Sequence, residues 1–226
     1  MFLQAPVPPR WSERMQIWGL TIGVPALVLG LLLELPAGVI VGALAVSTGA
    51  LAHLGWIASM ITRRRRPRLD WGLRLVLAGA AFILPGVLLG WAFALGLITG
   101  PRFALAYAVV ILGGWISLTI AGMMLKIVPF LVWYRVYGSR AGKERVPTLP
   151  DLSYVHAEGA ACVLLVVGFI ALPAAMAGGN AEAIRIAGII LTLGGLAFTA
   201  ALGRVLMHLA HRNATTRASR LAEVKR

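Results

Sequence analysis

The sequence predicts an all-α protein: a polytopic transmembrane bundle of six helices with both termini cytoplasmic. Three observations predict it. Hydrophobic residues make up 59% of the 226 residues, and the mean hydropathy is +0.86. They gather in six runs, each near or above the ~20 residues that a helix needs to cross the hydrocarbon core. Nineteen of the 21 Lys and Arg residues fall in or beside four segments that alternate with those runs. Nothing of domain size remains outside the runs, so residues 1–226 form one integral-membrane domain. It divides into an N-terminal interfacial segment (1–16), a six-helix bundle (17–207) and a basic cytoplasmic tail (208–226).

The first run, residues 17–33, is approached by Arg10, Trp11, Arg14 and Trp18, the basic and aromatic residues expected at headgroup level on the inner side. The chain opens with Pro6, Pro8 and Pro9 instead of a basic stretch, so no cleavable signal peptide is expected. The second run, residues 37–62, ends at Arg63-Arg64-Arg65-Arg66-Pro67-Arg68, which places that connection in the cytoplasm. The third covers 75–98. The fourth begins at Phe103 and stays apolar as far as Tyr137, too long for one straight span; Pro129 is expected to divide it into a membrane helix ending near Val128 and an interfacial segment over 130–137. Arg135, Arg140, Lys143 and Arg145 then mark another cytoplasmic connection. The fifth and sixth runs cover 157–177 and 186–207, and Arg212, Arg217, Arg220, Lys225 and Arg226 follow. The connections on the other side carry only Arg102 and Arg185.

A net charge of +13 raises the question of nucleic acid. Here the basic residues adjoin the spans, where they orient helices and meet anionic lipid, so the bilayer is the partner and nucleic acid is not. Glycine and alanine are frequent inside the runs, which lets helix backbones approach closely; Gly38-x-x-x-Gly42 is one small-xxx-small pair that could serve a dimer seam. Pro25, Pro85, Pro129 and Pro173 should kink or end their helices. The single Cys162 lies in an apolar run and can neither build a disulfide framework nor supply a metal cluster alone.

Ionisable residues inside a membrane are costly to keep and point to sites. His53 lies nine residues before Thr62, roughly 13 Å from the cytoplasmic face at about 1.5 Å per residue. It reads as a heme ligand, a quinone partner or a proton relay, or else as a histidine bonded to a neighbouring helix. Arg204, His208 and His211 share one face of the last span at its cytoplasmic end. They suit a lipid phosphate, a heme propionate or a quinone headgroup, or they simply snorkel. Lys126 sits one turn before Pro129 and is read in the same two ways. His156 and Glu158 could form an interfacial proton-entry pair, or Asp151, Ser153 and Glu158 could complement the start of the fifth helix. These candidates are cofactor-binding positions. No catalytic residue or metal ligand set is assigned, because the sequence has no H-x-x-x-H, H-E-x-x-H, C-x-x-C or P-loop pattern.

The stretch Gly114-Trp115-Ile116-Ser117-Leu118-Thr119-Ile120-Ala121-Gly122-Met123-Met124-Leu125-Lys126-Ile127-Val128-Pro129-Phe130-Leu131-Val132-Trp133 resembles the G-W-x-x-L-x-x-x-G-x-x-x-K-I-V-P-F-L-V-W helix of bacterial membrane proteins related to heme-copper oxidase subunit I. The loop over 138–147, the basic loop over 63–70 and Met1-Phe2-Leu3 are similar to theirs as well. The resemblance implies a bacterial inner-membrane protein corresponding to the C-terminal half of a longer family member. It also implies departures: the family's H-x-x-x-Y helix, adjacent histidine pair and H-x-H helix do not occur here, and Gly113 stands where a histidine is expected. What the resemblance implies is therefore a non-catalytic accessory, assembly or heme-handling subunit of a respiratory-type complex. Heme is possible only if a partner supplies ligands. That partner would be another membrane subunit or a second copy of the chain, packed on the Gly- and Ala-rich faces of the first two spans. A small transporter or channel lined by His53 and Lys126 is the alternative.

Overall fold

A computed structural model describes residues 10–63, 69–142 and 144–224, with side chains as far as residue 210. It is all-helical. Among the described residues six helices are long and apolar enough to cross a membrane: Arg10–Leu32, Pro36–Thr62, Trp71–Ala94, Pro101–Tyr137, Val155–Gly178 and Ala181–Ala210. Large apolar side chains such as Ile22, Leu32, Leu88 and Leu196 face outward. In water that surface would be unfavourable, whereas in hydrocarbon it is the required exterior.

Helices α1 (Arg10–Leu32) and α2 (Pro36–Thr62) form a tight hairpin, and α1 packs chiefly on α2. Its seam is made of glycine. A Cβ placed on Gly23 would come 2.7 Å from the Val46 nitrogen, one on Gly42 would enter the Leu27 backbone, and Gly30 faces Gly38. The small-residue faces expected to receive a partner are thus spent on one another, because two small faces joined by a short turn meet before any second chain can reach them. Helix α1 also starts at Arg10, seven residues before its apolar run.

The third span is broken once. Helices α3 (Trp71–Ala81) and α4 (Ile83–Ala94) meet at Phe82, since Pro85 has no N–H to offer the Ala81 carbonyl. Trp91 of α4 donates to Ser47 Oγ at 3.0 Å and ties the hairpin to the bundle.

The fourth span departs from expectation. It runs without interruption from Pro101 to Tyr137 as α5 (Pro101–Ala108), a π-helical stretch over Val109–Ser117, and α6 (Leu118–Tyr137). Pro129 does not divide it: buried inside α6, it removes only the hydrogen bond to the Leu125 carbonyl. The turns beyond it are held because Val132 and Val136 are buried against Leu152 and Val205. The backbone irregularity lies instead in the π-helical stretch, where Gly113 and Gly114 leave room for the rings of Phe169 and Phe82. Such wide turns trade helical regularity for a locally enlarged backbone.

A 3₁₀ turn, Leu149–Leu152, precedes α7 (Val155–Gly178), and Gly179, at φ +67°, turns the chain into α8 (Ala181–Val224). Asn180 caps α8 by accepting the Ala183 N–H at 3.0 Å. At 44 residues, α8 continues as helix through the segment read as a tail. The main core joins Leu75, Phe82, Val110, Leu118, Leu125, Cys162 and Ala201 from α3, the fourth span, α7 and α8.

Candidate functional site

The polar groups that sequence singles out fall into three places. His53 lies on the inner face of the hairpin, where its Nδ1 and the Gln16 side-chain oxygen are 2.9 Å apart, and its ring stacks on Trp56 at 6.2 Å. The bond crosses from α2 to α1. Of the readings open for His53, geometry favours the histidine bonded to a neighbouring helix, with Gln16 as partner. The Gln16 amide nitrogen and the Trp56 indole nitrogen are buried beside it without a hydrogen bond.

Lys126 points to the start of α3. Its ammonium pairs with Asp70, whose other oxygen accepts the Leu73 N–H at 2.9 Å as the N-cap of that helix. The ammonium side is mostly buried (18% exposed) and the carboxylate half open (49%). Around this pair, Arg74 lies over the Trp71 ring at 4.4 Å, Trp71 packs on Gly159, and Glu158 accepts from the Ser153 hydroxyl within electrostatic reach of both Asp70 and Lys126. Glu158 is therefore joined to Ser153 and not to His156, which is exposed. Asp151 belongs to the preceding 3₁₀ turn: its carboxylate accepts from the Thr148 hydroxyl and N–H, closing a capping box. Those two bonds hold its pKa below the usual carboxylate range, outweighing the opposite effect of desolvation.

The third place is the end of α8. Tyr137 and His208 meet at 3.0 Å, oxygen to Nδ1, with their rings edge to face. Arg204, one turn earlier, sets its guanidinium over the Tyr154 ring at 4.1 Å. His211 continues the same face of the sequence, but its side chain lies outside the described residues.

Within the membrane spans the arrangement offers hydrogen bonds and ion pairs between helices. Among the described residues no group of three His, Cys, Asp or Glu side chains is placed to hold a metal ion. At Gly113 the space that a larger residue needs is filled by Phe169. The chain matches no protein-family model, no curated protein and no solved structure.

Sequence reasoning found one member of each pair and missed the other. Asp70, Gln16 and Tyr137 fall in segments expected to be the basic loop over 63–70, the N-terminal interfacial segment and the interfacial segment over 130–137, and Tyr154 carries no expectation. Asp70 alone carried a local signal, an acidic residue immediately before an apolar run, which is the signature of an N-cap.

Proposed function

We propose that this protein is a non-catalytic membrane subunit of the heme-copper oxidase subunit I-like kind, serving as an accessory, assembly or heme-handling component of a respiratory-type complex in a bacterial inner membrane. The observation that supports this reading is the use made of its intramembrane polar groups. His53 is engaged by Gln16, Lys126 by Asp70 and His208 by Tyr137, each across two helices. Groups committed to holding helices together are poor candidates for binding and releasing substrate, and they suit a rigid subunit. With the basic connections held inside by the positive-inside rule, α3 and α7 begin at the cytoplasmic face and α1 and α8 place both termini there.

A subunit needs a complex. The glycine seam is used within the α1–α2 hairpin, so the partner, another membrane subunit or a second copy, meets the outer apolar face of α1, which includes Ile17, Trp18, Ile22 and Leu29. Mild-detergent extraction of the tagged full chain from its native membrane, followed by native mass measurement, tests this. The expected result is a defined complex with a membrane protein or with itself, reduced when Ile22 and Leu29 are both changed to Gln. A wild-type monomer at every detergent concentration used would overturn it.

A further inference from the structure

Arg204 is the one residue of the basic end of α8 whose side chain is described yet has no counter-ion among the described residues. Its Nε is fully enclosed and makes no hydrogen bond, while its guanidinium carbon lies 4.1 Å from the Tyr154 ring centroid. The acids of the preceding elements have partners other than Arg204. Between residues 70 and 158 there are four: Asp70 pairs with Lys126, Glu144 with Arg140, Asp151 with Thr148 and Glu158 with Ser153. A guanidinium ion held at the edge of an apolar bundle without an anion is electrostatically incomplete, because hydrocarbon on one side removes the water that would otherwise solvate it.

The surroundings suit a phosphate. Tyr154, half exposed, carries the guanidinium over its ring, and Arg204 as a whole is only partly buried; arginine offers paired N–H donors to phosphate oxygens. One turn further along the same face, His208 is bonded to Tyr137, and the Tyr137 ring in turn lies under the Arg140 guanidinium at 5.5 Å. Two guanidinium groups at this end thus lie on aromatic rings, Arg204 on Tyr154 and Arg140, which also pairs with Glu144, on Tyr137. Ordinary snorkelling would leave Arg204 extended into water, whereas here its Nε is enclosed and its head is held on a ring.

We propose that Arg204, held on Tyr154 one turn from the Tyr137–His208 pair, binds a phosphate group, either the headgroup phosphate of an anionic lipid or free phosphate. The site is independent of whether the protein has a protein partner.

The full chain in mild detergent is titrated with phosphatidylglycerol, phosphatidylcholine or inorganic phosphate, with retained ligand read by native mass spectrometry and the unfolding midpoint by a thermal shift. Wild type is expected to retain one phosphatidylglycerol in preference to phosphatidylcholine. Arg204→Gln lowers that retention by about tenfold or more, the loss of charge-assisted hydrogen bonds. Arg135→Gln, an exposed arginine of the same end, changes it by less than about twofold, as expected of a screened surface charge. Stabilisation by inorganic phosphate equal to that by the lipid, again lost in Arg204→Gln, identifies free phosphate as the ligand source. Should Arg204→Gln not be recovered as a single folded species, Tyr154→Leu decides, with a severalfold loss expected. The proposal is overturned if neither lipid retention nor stabilisation by inorganic phosphate depends on Arg204 or Tyr154, or if the two lipids are not distinguished and inorganic phosphate gives no Arg204-dependent stabilisation.

Discussion

Asp70 and Lys126, 56 positions apart, form an ion pair in which one partner also starts a helix: the Asp70 carboxylate takes the Leu73 N–H with one oxygen and the Lys126 ammonium with the other. The bond therefore ties the beginning of α3 to the middle of α6. Asn is as good an N-cap as Asp, but carries no charge. Asp70→Asn is expected to cost about 1 kcal/mol or less, because the carboxylate is half exposed and the attraction is screened. Asp70→Ala should cost about 1 kcal/mol more, the usual loss of a cap. Thermal unfolding in detergent measures both, and equal midpoints for the two variants would remove the capping role.

The hairpin seam makes a sharper contrast between two glycines of one helix. A Cβ at Gly42 enters the Leu27 backbone, whereas one at Gly55 meets nothing within 4 Å. Gly42→Ala should destabilise the protein by about 1–3 kcal/mol, the range for forcing a group into a packed interface. Gly55→Ala should be neutral or stabilise by a few tenths up to about 1 kcal/mol, since alanine is the better helix former. Similar effects at the two positions would mean that α1 and α2 do not pack as described.

The 3₁₀ turn before α7 is expected to loosen in acid. Thr148 lowers the folded-state pKa of Asp151 relative to the unfolded chain, so the turn is stabilised above the unfolded carboxylate value and loses that contribution as pH falls through the folded one. Amide hydrogen exchange at Thr148–Leu152 should quicken, relative to the intrinsic rate, on acidification through that window. Asp151→Asn should exchange at a rate no longer dependent on that ionisation. A wild type whose protection is level across the same window would contradict this.

Much of the fold was legible because bilayer thickness sets the length of an apolar run, and all six runs coincide with long apolar helices, although the third helix ends at Ala94, short of the run's expected end at Ile98. The ends were less so. Trp11 and Ser12 carry α1 beyond its apolar stretch, and helical geometry continues where hydropathy stops. Pro129 is the visible irregularity of the fourth span, but the effective one lies at Gly113–Gly114, where two rings from other helices, Phe82 and Phe169, require the space. No local pattern announces that. The candidate residues were found because charge inside a membrane is conspicuous, while Gln16, Asp70, Tyr137 and Tyr154 were missed because only tertiary packing joins positions 37, 56, 71 and 50 residues apart.

The proposed orientation, with both termini cytoplasmic, rests on charge and can be tested separately. A reporter fused after Arg226, or inserted at Arg63–Arg68, should be active only as a cytoplasmic marker, and one in the turn at residues 178–183 only as a periplasmic marker. A periplasmic C-terminus would reverse the assignment of both faces.

The central claim is that His53 and its counterparts hold helices together and are not cofactor ligands of this chain alone. The most direct measurement is the absorbance spectrum of the purified protein, oxidised and dithionite-reduced, with heme supplied during expression. The account predicts no Soret or α-band in either state, and for His53→Leu a loss of about 0.5–1 kcal/mol in stability, the scale of one interhelical hydrogen bond in a membrane, with little further loss when Gln16→Leu is added. A Soret band that shifts on reduction and disappears in His53→Leu would contradict it.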